Sequence, residues 1–264
     1  ISTNIFEINE QNFRFSFSEK KIRLQKIQDR EPIDISAALN LETKSAELTI
    51  LTEDFYPSTY ATLHQELTEL RPWLSTRVSG IIEGTYHFVT NELSYDVDIE
   101  AYAENELLPF PVYTEIAAAG NLEKVDIDRA LVQTYRGTVV YAGLFDISAR
   151  MPSGVCTLVD LTAAEGYPVN GTIVLRPYKN LLQIRSQSIS VAGARLTDLT
   201  SYLSIQEREY ELRLKAVVGT DKNSKLSFEG NLTMNEENFF QGALELNNCQ
   251  ASEIASLLPL SIQK

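Results

Sequence analysis

The sequence is poor in the residues that carry chemistry. Its 264 residues include two histidines, two cysteines and one tryptophan. Cys156 and Cys249 lie far apart and form no Cys-x-x-Cys, so the spacing indicates neither a redox motif nor a zinc site. Two separate half-buried thiols, packing as small hydrophobes, are expected in preference to a disulfide. His64 falls among the solvent-facing positions of a helical pattern, and His87 stands between Tyr86 and Phe88 in a strand. Neither has a partner His, Cys or carboxylate at ligand spacing. The sequence holds no Gly-x-Ser-x-Gly, P-loop, dinucleotide fingerprint or His-Glu-x-x-His. The expectation is a non-enzymatic chain without metal or cofactor.

Positive charge is also scarce. Lys and Arg number 23 against 36 Asp and Glu, a formal net charge of −13. A nucleic-acid binder needs a basic footprint to neutralise phosphates, and no basic stripe is present, so that class is set aside. The same balance disfavours charge-driven attachment to an anionic membrane. No run approaches 18 apolar residues, so no helix is expected to span a bilayer. The chain opens on Ile1 with no signal-peptide pattern, and a longer or processed parent protein is expected to carry any leader or anchor.

What the sequence has is alternation. In residues 135–149 every second position is apolar, aromatic or small: Tyr135, Gly137, Val139, Tyr141, Gly143, Phe145, Ile147 and Ala149. Period-two patterning predicts a strand with one buried face. Read as one strand, the run would span about 45–50 Å at ~3.3 Å per residue. Residues 1–53 alternate in the same way through Phe13, Phe15 and Phe17, Ile22 and Leu24, Ile33 and Ile35, Leu39 and Leu41, and Leu48 and Ile50. They read as N-terminal strands, the end of a preceding segment.

The period changes in residues 54–75. Tyr60, Leu63, Leu67, Leu70 and Leu74 are spaced three or four apart, a helical stripe. Ser58 or Thr59 could cap its start, and Pro72 should end it near Leu70. This connector reads as a helix capping the open end of a sheet. Strands resume over 76–250, the main module. The proline-containing residues 107–111 form a loop or bulge. Residues 251–264, with Ile254, Leu257 and Leu258, read as a second short helix.

The acidic residues fall on the opposite phase. Asp96, Asp98 and Glu100 alternate with Val97, Ile99 and Ala101, and Glu207, Glu209 and Glu211 alternate with Tyr210, Leu212 and Leu214. A calcium site or carboxylate pair would use such residues, but acid opposite apolar in strict alternation describes a solvated outer face. Two Asn-x-Thr sequons, at Asn170 and Asn231, matter only in a eukaryotic secretory setting.

No helix crossover of the length that parallel strands need is present, so the sheet is expected to be mainly an antiparallel meander. The fold class is all-β, with long strands forming either a curled, taco-like groove or an elongated β-sandwich. The inward apolar set is Val97, Ile99, Val139, Tyr141, Phe145, Ile147, Val159, Leu161, Ile173, Leu175, Leu182, Ile184, Leu212, Leu214, Leu226, Phe228, Leu232, Phe240, Leu244 and Leu246. In-phase small residues, among them Ala101, Gly137, Gly143 and Ala163, leave room on that face.

Several stretches resemble a known family. They are Gly171-Thr-Ile-Val-Leu175, residues 182–199 ending in Leu196-Thr-Asp-Leu199, Tyr210-Glu-Leu-Arg-Leu-Lys215, Lys225-Leu-Ser-Phe-Glu-Gly-Asn-Leu232, and residues 67–84, where a short helix runs into a strand with Gly80 and Gly84. Over most of residues 63–247 the chain resembles TamB and AsmA-like proteins of the translocation and assembly module. That resemblance implies a U-shaped β-groove in a periplasmic protein anchored in the inner membrane. It also implies phospholipid transport between membranes, or support of outer-membrane protein assembly with an Omp85-type β-barrel. It brings no catalytic residues. The groove candidates would then meet phospholipid acyl chains. A secreted or surface β-sandwich serving as an interaction or adhesin module is the alternative.

Overall fold

The protein is described from a computed structural model, which covers residues 2–8, 11–18, 20–26, 32–57, 75–104, 110–162, 168–206, 209–219, 223–233, 239–250 and 255. The helical patterns expected over 54–75 and 251–264, and most of the proline-containing loop at 107–111, fall largely outside them. The chain divides into two compact units, Ile1–Tyr135 and Arg136–Lys264.

The fold is all-β, with antiparallel strands throughout. The first unit holds β1 (Ser2–Ile8), β2 (Gln11–Phe17), β3 (Lys21–Lys26), β4 (Ile33–Asn40), β5 (Ser45–Phe55), β6 (Arg77–His87), β7 (Glu92–Ala103), β8 (Val112–Asn121) and β9 (Lys124–Thr134). The second holds β10 (Gly137–Asp146), β11 (Met151–Thr162), β12 (Pro168–Tyr178), β13 (Leu181–Val191), β14 (Ala194–Gln206), β15 (Glu209–Val218), β16 (Lys225–Thr233) and β17 (Phe239–Asn247). Within each unit every strand pairs antiparallel with the next in sequence. Short turns suffice for such a meander. Among the described residues neither unit closes into a barrel.

Residues 135–149 are not one strand. Tyr135 and Arg136 form the turn before β10, and β10 ends at Asp146. The Asp146 carboxylate accepts the Ala149 N–H at 2.8 Å and the Ser148 hydroxyl at 2.7 Å. Arg150 has a positive φ of 54°. A side chain that captures donors two or three residues on makes a turn whatever the hydrophobic phase. The result is a ten-residue strand, about 33 Å long.

Three bulges share one construction. In β5, β11 and β14 an extra residue sits between Thr52 and Phe55, between Leu158 and Leu161, and between Thr197 and Thr200. Each contains an aspartate at positive φ: Asp54 at 53°, Asp160 at 49° and Asp198 at 50°. Asp tolerates this left-handed region better than β-branched residues because its short side chain bonds locally. Asp160 shows the bonding: its N–H donates to Asn170 Oδ1 at 2.7 Å, and Asn170 Nδ2 donates back to Asp160 Oδ1 at 3.0 Å.

Burial is uneven. The second unit has a buried cluster of Ile189, Leu196, Leu199, Ala216, Val218 and Leu226, with Val218 wholly inaccessible. It lies where β13 and β14 approach the turn at 192–193, beside the end of β15 at Val218 and the start of β16 at Lys225. Elsewhere the in-phase apolar residues of both units are mostly half-buried.

Candidate functional site: an apolar sheet face in each unit

Residues directly opposite in an antiparallel pair share a face, so the register assigns every side chain. In the second unit Val139, Tyr141, Gly143 and Phe145 oppose Leu158, Cys156, Gly154 and Pro152. Gly154 and Cys156 oppose Leu175 and Ile173. Leu175 opposes Ile184, and Pro177 opposes Leu182. Leu182 opposes Leu203, which opposes Leu212, while Ile184 and Leu214 both oppose Ser201. The row continues through Leu214 with Phe228, Leu226 with Leu246, Phe228 with Leu244, and Leu232 with Phe240. Leu161 joins the same face by opposing Val169 beyond the β11 bulge. The side chains of Phe228, Leu232, Phe240 and Leu244 lie outside the described set; their backbone register places them in phase.

Two expected members leave this face. Ile147 stands in the turn after β10 and is exposed. Val159 is 46% exposed and opposes Thr138, so it shares the outer face with Val155, which opposes Ala142. The cause is the Asp160 bulge. Ahead of it the inward positions of β11 are even-numbered (Cys156 and Leu158), and beyond it they are odd (Leu161). An inserted residue shifts the two-residue period by one. The sequence carried a signal for this, an apolar spacing of three at Leu158/Leu161 and Leu196/Leu199 around an aspartate.

In the first unit Val97 and Ile99 oppose Ile82 and Gly80 on one side and Ala118 and Ile116 on the other. The face runs on through Ile50, Ile35, Leu48, Ala37, Leu24 and Phe15. The outer positions Asp96, Asp98 and Glu100 are exposed, as alternation predicts, while Val97, Ile99 and Ala101 are half-buried.

Gly143 and Gly154 lie directly opposite each other on the second unit's apolar face. The Tyr141 hydroxyl is 3.0 Å from the Leu144 carbonyl and 3.1 Å from that of Ser153. Reaching both places the ring along the face beside the glycine pair, an aromatic cover for positions without side chains. Burial raises the Tyr141 hydroxyl and the opposing Cys156 thiol above their ordinary pKa values. Cys156 is buried, Cys249 is half-buried, and both are free thiols.

The face offers no reactive constellation. Among the described residues no three His, Cys, Asp or Glu side chains gather where a metal could bind. His87 is exposed at the end of β6; His64, Trp73 and Glu207 lie outside the described residues. The Asn170 side chain of the first sequon is engaged with Asp160. An open cavity of about 530 Å³ lies on the other face of the second unit, lined by Tyr202, Arg213, Lys215, Ser227, Glu229 and Glu245. It is a ladder of cross-strand charges, with Arg213 3.2 Å from Glu229. Among the described residues no helix is long and apolar enough to cross a membrane. Comparison with family models, curated proteins and solved structures finds no match.

Proposed function

We propose that the chain is a non-enzymatic, lipid-binding segment whose apolar sheet faces, one in each unit, take up phospholipid acyl chains. The observation that carries this reading is the half-buried state of those faces. Val97, Ile99, Val139, Tyr141, Phe145, Ile173, Leu175, Ile184, Leu212 and Leu214 all keep part of their surface accessible. A second sheet packed about 10 Å away would bury such positions. Acyl chains would be driven onto each face by about 0.8 kcal/mol per buried CH₂, with headgroups left at the strand ends. The resemblance to TamB and AsmA-like proteins supports a place in the periplasm, in a parent chain that moves phospholipid between membranes. Through other parts of that parent, an Omp85-type barrel would be the partner in outer-membrane protein assembly.

The test is mass spectrometry of an organic extract of the purified protein, with crosslinking from a photoreactive residue at position 145. Phospholipid in the extract and a lipid adduct at 145 are expected. Phe145→Asp should leave a folded protein with less lipid, because a carboxylate on an open face stays hydrated while opposing an acyl chain. An extract without lipid, under conditions where a lipid carrier scores, would overturn the reading. Loss of folding in Phe145→Asp would instead point to a packed sandwich.

A further inference from the structure

Three hairpin turns of the first unit lie on one rim, joining β4 to β5, β6 to β7 and β8 to β9. Turn positions favour Gly, Pro, Asn, Asp and Ser. These turns instead carry Leu41, Phe88, Val89 and Leu122, which are 46%, 50%, 69% and 55% exposed.

The turns are firmly built. Asn40 Oδ1 accepts the N–H groups of Glu42 and Thr43 at 3.0 and 3.2 Å. Asn121 Oδ1 does the same for Glu123 and Lys124 at 2.8 and 2.9 Å. The sequence Asn-Leu-Glu stands at both places, with the leucine exposed at the tip. In the middle turn the Tyr86 hydroxyl donates to Asn91 Oδ1, and its ring meets Phe88 edge-on at 5.2 Å. The turns are also tied together: Leu41 N–H donates to the Lys20 carbonyl at 2.8 Å and Phe88 N–H to that of Lys44 at 2.9 Å. The second unit repeats the device at Asp146, whose carboxylate holds the turn that exposes Ile147.

The charge setting selects the occupant. The described residues 18, 20–21, 41–44, 88–92 and 122–124 contain four lysines (Lys20, Lys21, Lys44 and Lys124) and three glutamates (Glu42, Glu92 and Glu123), a net of +1 within a chain of −13. A nearly uncharged rim with apolar tips is not repelled by a zwitterionic surface, and its tips gain by leaving water. The apolar face begins at this rim, where Leu39 opposes Ala46, Ala46 opposes Tyr86 and Tyr86 opposes Leu93.

We propose that this rim dips into the interface of a neutral phospholipid bilayer, so that an acyl chain leaving the bilayer meets the apolar face directly. The inference rests on the lipid-binding reading above. It is tested by flotation of the full chain with phosphatidylcholine vesicles. The protein should float, and Phe88→Ser/Val89→Ser should lower the bound fraction at least tenfold while its organic extract still contains lipid. Phe145→Asp should do the converse. Emission from Val89→Trp should shift to shorter wavelength on adding vesicles, a readout that needs no loss of function. A parent protein that does not float, a double variant that floats equally well, or an unshifted Val89→Trp emission overturns the rim proposal. So does a double variant that changes oligomeric state in light scattering yet floats unchanged, which would make the rim a contact between copies. An extract without lipid overturns the face instead.

Discussion

Gly143 of β10 and Gly154 of β11 sit directly opposite each other, and neither has room for a side chain. A Cβ on Gly143 would lie 2.2 Å from the Ser153 carbonyl oxygen and 2.6 Å from Gly154 Cα. The φ values, 152° and 159°, belong to a region that L-residues rarely adopt. Backbone thus meets backbone at the centre of the hairpin, with the Tyr141 ring beside it. Glycine kinks of this kind bend sheets.

Gly143→Ala should therefore lower stability by about 1–3 kcal/mol, the usual cost of holding a residue in such a region, with the clash adding to it. Gly84→Ala is the control, because a Cβ there meets only the Ser94 carbonyl oxygen at 3.8 Å. Its effect should stay within about ±1 kcal/mol. Thermal unfolding of the two variants decides, and equal shifts would refute the close approach.

The phase reversal at Asp160 makes neighbouring positions unequal. Leu158 packs against the buried cluster, whereas Val159 is exposed on the outer face. Leu158→Asp should cost roughly 2 kcal/mol or more as an unpaired carboxylate on an apolar face. Val159→Asp should cost less than about 1 kcal/mol. Denaturant titration of both variants checks this, and the reverse order would contradict the register of β11.

The bulge aspartates respond to backbone conformation more than to charge. Asp198 has a φ of 50°, so Asp198→Gly should be tolerated, while Asp198→Val should lose about 1–3 kcal/mol. Asp160→Gly should cost more than Asp198→Gly, because it also removes the acceptor for Asn170 Nδ2. Chemical unfolding midpoints of the three variants measure the difference. Valine matching glycine at position 198 would rule out a left-handed requirement there.

Cys156 and Tyr141 give the fold an alkaline limit. Burial raises both groups, so the folded state holds their protons more tightly than the unfolded state does. Below the unfolded values of about 8.5 and 10 both states are protonated and nothing is lost; above them stability falls as pH rises. Melting temperature followed from pH 7 to 11 should decline from about pH 9, and Cys156→Ala with Tyr141→Phe should flatten the decline. Parallel curves for the parent and the double variant would exclude these two groups.

The sequence by itself determined the strands and most of their phases. Asp96, Val97, Asp98 and Ile99 alternate on opposite faces as written, because a strand points successive side chains to opposite sides whatever its partner does. Ile173, Leu175, Leu182, Ile184, Leu212, Leu214, Leu226 and Leu246 fall on one face for the same reason. What only the tertiary structure decided depends on a neighbouring strand. Val159 was turned outward because β11 carries one residue more than β12 between two paired positions, and an extra residue has meaning only against a partner. Ile147 was put in a turn by the Asp146 carboxylate, a local hydrogen-bond choice to which hydrophobic period is blind. Val218 became inaccessible while Val97 stayed half-open, although both lie in good alternation. Burial is set by what the surrounding strands bring over a residue, and period two specifies the side on which a residue lies but not what covers it.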